Sequence, residues 1–290
     1  MLSTIVEQSV NGIVTGSVYA IVAVGMTMIF GVLRAINFAH GEYYMLGTFG
    51  AWFAIDYLGL SYEASIVVGV LATIAVAYVV GQLVMRRMVG APAESGVLAT
   101  LGIALILQNT IILVFGGGYK FFAGGYIEPV SILGFSLAQQ RILILVVCLL
   151  VFIGLELMVS YTRLGMAMRA VSQNVECCSV VGIDVPQVVL RTFMLGAALA
   201  ALSGVLTAPV NVSVYGGMGE LITFKTLPII IMGGLGNVRG TFVAAMILGV
   251  AESLVATYVG LQFRDTVGFA TLILMLMWRP HGLFSTQARF

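Results

Sequence analysis

Long apolar runs alternate with short polar breaks along this chain. Runs at about 10–33, 43–58, 62–85, 96–115, 142–160, 188–210, 242–258 and 266–278 read as membrane-crossing helices, because roughly 20 apolar residues span a hydrocarbon core as a helix. A shorter piece, about 223–235, is interrupted by Pro228 and by Gly233, Gly234 and Gly236, residues that break helices. The pattern predicts an all-α fold, a polytopic transmembrane helical bundle of about eight to nine spans counting the broken segment. One domain covers residues 1–290. No run shows the alternation of an outer-membrane barrel, so strands are not expected.

The longest polar interruption runs from Tyr161 to Arg191. Leu164, Ala167, Met168, Val171, Val175 and Cys178 recur in it at three- and four-residue steps, the period of one helix face. Arg169, Ser172, Gln173, Glu176 and Ser179 fall on the other side. Gly182 is placed to end this amphipathic helix with a left-handed residue. Asp184 then caps the next helix, with Pro186 in its first turn. A helix outside the spans must bury its apolar face somewhere. It lies along the lipid interface or under its own bundle, or it docks into a groove on a partner. Period alone leaves these open.

Composition supports the membrane reading. The 290 residues are 60% hydrophobic and 9% charged, against about 25% charged in soluble domains. The net charge is +1, and no basic cluster suggests nucleic acid. The first run lacks a basic leader and a cleavage site, so it reads as a span. Nine arginines (34, 86, 87, 163, 169, 191, 239, 279 and 289) fall on one side when spans are counted, and Lys120, Arg141, Lys225 and Arg264 on the other. Positive charge favours the cytoplasm. The N-terminus is therefore expected outside, and the C-terminus and the 161–191 stretch inside.

The break Arg34-Ala-Ile-Asn37-Phe-Ala-His40-Gly41-Glu42 gathers polar side chains between two spans. It reads either as a helix junction, with Arg34 and Glu42 matching the helix dipoles, or as an inner gate built from Asn37, His40 and Glu42. Gln108 and Asn109 read as interhelical hydrogen-bond partners or pathway lining. Glu156 and Glu252 read as pathway groups or as ion pairs with a nearby arginine. A faint echo relates Ile29, Gly31, Leu33, Leu46 and Gly47 to Ile231, Gly233, Leu235, Leu248 and Gly249. Paired broken segments point to a translocation site, which brings Gly233, Gly234 and Gly236 into the pathway set. No phosphate-binding glycine loop precedes Lys225-Thr226, and no metal-ligand or nucleophile–base spacing occurs. The chain is therefore expected to be no enzyme, to bind no cofactor or metal, and to take energy from an ion gradient or another subunit.

Five blocks carry a resemblance: NFAHGEYYMLGTF (37–49), LATLGIALILQN (98–109), GMAMRAVSQNVECCSVVGI (165–183), IIIMGGLGNVRGTFVAAMILG (229–249) and RPHGLF (279–284). In that order they resemble the smaller membrane permease of bacterial branched-chain amino acid ABC importers. The sibling family that carries urea and short amides has similar blocks. The resemblance implies an inner-membrane permease paired with a second permease subunit, identical or different. It also implies two cytoplasmic ATPase subunits that hold the ATP and a periplasmic binding protein that delivers the amino acid. The 165–182 segment is then a coupling helix on an ATPase. Met168, Val171 and Val175 form its docked face, Arg163, Arg169 and Glu176 its rim, and Gly165, Asn174 and Gly182 frame it. A rival from another class is an ion-coupled secondary transporter using Glu42, Glu156 or Glu252 as proton carriers.

Overall fold

The computed structural model describes residues 2–132, 135–279 and 282–284. Of the expected features, Arg289 and the Pro280-His281 pair of the last block lie outside the described residues. Each apolar run is helical. The elements are α1 (Leu2–Leu33), α2 (His40–Asp56), α3 (Tyr62–Leu83), α4 (Ala93–Phe115), β1 (Lys120–Phe121), β2 (Pro129–Ile132), β3 (Phe135–Ala138) and α5 (Gln139–Tyr161). They continue with α6 (Arg163–Gln173), α7 (Val175–Val180), α8 (Val185–Asn211), β4 (Ser213–Val214), α9 (Met218–Gly233), α10 (Val238–Tyr258) and α11 (Arg264–Trp278). Six of these helices, α1, α3, α4, α5, α8 and α10, are long and apolar enough to cross a membrane. α2, α9 and α11 are shorter.

The fold is all-α and polytopic as expected, with four short strands in its connections. β2 pairs with β3 in a hairpin, and β1 pairs antiparallel with β4. Their glycine- and aromatic-rich stretch is too short and too polar for a span, so it satisfies its backbone by pairing strands at one end of the bundle. α6 and α7 mark the other end.

Two quartets of helices run in opposite senses. α1 descends from the hairpin end to the α6 end, α2 rises from within the bundle, α3 descends and α4 rises. α8, α9, α10 and α11 repeat this order upside down. The contacts match under the exchange: α1 packs on α10 as α8 packs on α3, α2 on α3 as α9 on α10, α2 on α4 as α9 on α11, and α2 and α9 pack on each other. This is an inverted-topology repeat. It differs from the echo read in the sequence, which aligned the α1–α2 break with the α9–α10 turn. In the structure the counterpart of residues 34–39 is 212–217. The dipeptide Gly41-Glu42 therefore recurs as Gly219-Glu220, in the first turn of α9.

Small residues let the core helices close. A Cβ on Gly12 or Gly249 would run into the backbone of the facing helix, so α1 and α10 touch backbone to backbone. Pro228, expected to break its segment, lies within a continuous α9. That helix ends instead at Gly234, which takes φ +90°.

Candidate functional site at the starts of two short helices

α2 and α9 both begin inside the bundle. The His40 Nε2 atom lies 3.0 Å from the Val22 carbonyl oxygen of α1. Val22 is about 16 Å along the helix axis from the end of α1, roughly half of a ~30 Å hydrocarbon core. Residues 34–39 climb to that depth without helix. They are held by Thr100 of α4, whose hydroxyl accepts from the Phe38 N–H at 3.2 Å. From the opposite end, β4 and residues 215–217 bring the chain down to Met218. The two helix starts meet there: the Gly41 N–H donates to Thr223 Oγ1 at 3.0 Å, and a Cβ on Gly41 would collide with the Gly219 carbonyl. Non-helical backbone survives at such depth only inside protein or beside water.

Four polar side-chain atoms at and just before the start of α2 are buried without a hydrogen-bond partner among the described residues: Asn37 Nδ2, His40 Nδ1, Glu42 Oε2 and Tyr43 OH. Glu42 is 2% exposed. Its carboxylate lies over Gly219, the residue before Glu220. Of the expected gate residues, Asn37, His40 and Glu42 are thus brought together, deeper in the bundle than a junction at the membrane face.

A cavity of about 550 Å³ lies between these helix starts and the hairpin end. Tyr44 of α2 and Met218 and Ile222 of α9 line it toward the helix starts. Val14, Val18, Ile144, Val210 and Leu221 make its walls apolar, and Tyr19, Tyr215, Arg141, Lys225 and Arg264 give it polar atoms. That size and mixture suit a small amphipathic solute.

One charge cluster braces the wall. Glu252 is fully buried and accepts from Tyr19 OH at 2.8 Å. It pairs with Lys225 at 3.1 Å and with Arg264 at 3.4 Å, while Asp265 holds Lys225 at 2.8 Å. Lys225 lies within α9 and Arg264 is the first residue of α11, both on the half of the bundle toward the hairpin. Sequence reasoning offered Glu252 an arginine partner and missed Lys225 and Tyr19, which come from helices far along the chain. Glu156 pairs with Arg239 at the α6 end, Nε donating at 2.9 Å.

The remaining expected residues fall elsewhere. Asn109 is exposed and donates to its own helix at the Leu105 carbonyl, 2.7 Å away, so it does not bond to a neighbouring helix. Gln108 lies beside Gly217, just before α9. Gly233, Gly234 and Gly236 form the α9–α10 turn at the α6 end, where Gly236 touches Gly31 of α1, far from the helix starts.

The 161–191 stretch is two helices instead of one. Thr162 caps α6, and Asn174 ends it with extended backbone and caps α7 by accepting from the Cys177 N–H at 2.9 Å. Gly182 takes φ +82°, and Asp184 caps α8 as expected. The apolar face is covered by the chain itself: Val171 is fully buried and Met168 nearly so, packed with α1, α5 and α8. This corrects the expectation that Met168 and Val171 form a docked face. The reason is local. A Cβ on Gly165 would strike the Met158 and Val159 carbonyls, so α6 lies directly on the end of α5. The Arg34 guanidinium donates to the Ser172 and Gln173 carbonyls at 2.8 and 3.1 Å and ties α6 to α1. Arg163, Met166, Arg169, Asn174, Glu176, Val180 and Val181 remain exposed, and Val175 is half-buried.

A family model described as a branched-chain amino acid transport system / permease component matches residues 8–277. The chain belongs to this family. It is 34% identical to the high-affinity branched-chain amino acid transport system permease protein BraD of Pseudomonas aeruginosa, over 96% of this chain and 94% of BraD. It is 30% identical to LivH of Escherichia coli K12, with the same coverage, and 24% identical to that organism's LivM, over 92% of this chain and 67% of LivM. No solved structure matches. Membership in a permease family and the six apolar helices make this permease an integral membrane protein that acts in transport.

Proposed function

We propose that this permease is the translocating subunit of an ATP-driven importer for branched-chain or other hydrophobic amino acids. The observation that carries the reading is the meeting of two oppositely directed helix starts at mid-depth, beneath an apolar cavity with polar edges. Binding sites of transporters built from inverted repeats lie at such points. The substrate class rests on the relatives, which are named as branched-chain amino acid permeases.

The hairpin end faces the periplasm and receives a binding protein, and the N-terminus lies there. The arginine-rich α6 end and the C-terminus face the cytoplasm of a bacterial inner membrane. α2 and α9 complete the membrane path from within, so the bundle has eight to nine spans when these short helices are counted. A second permease subunit pairs with this one. The similarity of this chain to both LivH and LivM of one organism favours a different partner over a second copy. ATP is bound and hydrolysed on two separate cytoplasmic subunits, and this chain binds no cofactor. The α6–α7 unit couples to an ATPase through Met166, Glu176, Val180 and Val181, its exposed side. Because its other side is bonded to α1, α5 and α8, a push there moves the bundle.

The ion-coupled rival loses two of its three proton carriers, since Glu156 and Glu252 sit in ion pairs. Uptake of labelled leucine by the complete reconstituted complex tests the substrate reading. Valine competes and urea does not if the proposal holds; urea transport without leucine uptake overturns it.

A further inference from the structure

Glu42 and Glu220 stand at equivalent places in the inverted repeat, each directly after a glycine in the first turn of its helix. Gly41 and Gly219 bring the two turns into backbone contact. Glu42 is almost wholly buried, with Oε2 unpartnered and lying 2.7 Å from where a Cβ on Gly219 would stand. Glu220 is exposed, two residues from both Met218 and Ile222 and so on the face of α9 opposite the cavity. Among the described residues neither carboxylate pairs with a cation. The N-terminal ends of α2 and α9 ease the cost of the negative charge without neutralising it. Charges at this depth are paired or face a water-filled path.

We infer that Glu42 and Glu220 form a carboxylate pair that receives the α-ammonium group of the amino acid as it passes α9. The inference rests on the amino acid permease reading. It commits to an ammonium because that is the cation such a solute carries. Exposed Glu220, with Gln108 beside Gly217, sets the path on this side of α9. An ammonium held by two carboxylates makes charge-assisted hydrogen bonds, the strong kind.

The test uses the complete complex with its binding protein, carrying E42Q or E220Q in this chain. Each variant should lower leucine uptake about tenfold or more, the loss expected for one charge-assisted hydrogen bond. Each should assemble with its partner subunits as the wild type does, and E42D and E220D should recover part of the uptake. Because Glu220 is exposed, E220Q keeps the test open if E42Q fails to fold. Unchanged uptake in E220Q and in a folded E42Q overturns the inference, as does a loss of uptake matched by a loss of assembled E220Q complex. A wild-type complex that takes up no leucine instead refutes the permease reading itself.

Discussion

Glu252 shows what a single charge needs at this depth. It is surrounded by Tyr19, Lys225 and Arg264, and Lys225 also reaches Asp265. Removing one partner of a buried pair costs about 3–5 kcal/mol, because it strands the other charge. Arg264 remains in K225M, so the loss should fall at the lower end, about 3 kcal/mol. Thermal melting in detergent should show K225M clearly below wild type, and K225M/E252M recovering part of the difference. Equal melting of the single variant would mean the cluster adds nothing to stability. The glycine contact at the helix starts gives a second expectation. G41A places a methyl group against the Gly219 carbonyl and Thr223, and should reduce folded protein severalfold in fluorescence-detected gel filtration. At Gly102 nothing lies within 4 Å of an added Cβ, and G102A should be neutral or stabilising by up to about 1 kcal/mol.

Helices as units were legible in the sequence because apolar runs of span length have few other uses. Their depth was not legible. Periodicity says which face is apolar, not where along the membrane normal a helix begins. The mid-depth starts of α2 and α9 therefore appear only once His40 is seen against Val22 and Gly41 against Gly219. Polar clustering in residues 34–42 singled out Asn37, His40 and Glu42, and the fold brings these three together at that depth. Gly233, Gly234 and Gly236 form the α9–α10 turn, and glycines that end a helix look the same in a string as glycines at a mid-depth break. In the 161–191 stretch the apolar stripe was real, but its partner proved to be the chain's own α1, α5 and α8. The break at Asn174 had a signal, a capping residue two positions before Glu176 in a first turn. This separates two roles by experiment. M168D puts a charge into the packed side of α6, costs about 3 kcal/mol or more and should lower folded protein. V180D/V181D alters only exposed residues, and should leave insertion and melting unchanged while cutting ATP-driven uptake. The reverse pattern would place the coupling surface on the other side of the helix.

Across the whole molecule, two inverted quartets of helices place one pair of helix starts near the centre, a cavity toward the hairpin end, and the α6–α7 unit at the other end. On the proposed reading, a push received at α6 and α7 becomes a change of access around α2 and α9. Sidedness tests that account directly. The complete complex is reconstituted with ATP only on the α6 side and leucine-loaded binding protein only on the hairpin side, and labelled leucine is followed with and without an uncoupler. The account predicts uptake that requires both additions and is unaffected by the uncoupler. Uptake that proceeds without ATP, or that collapses with the uncoupler while ATP is present, would contradict it.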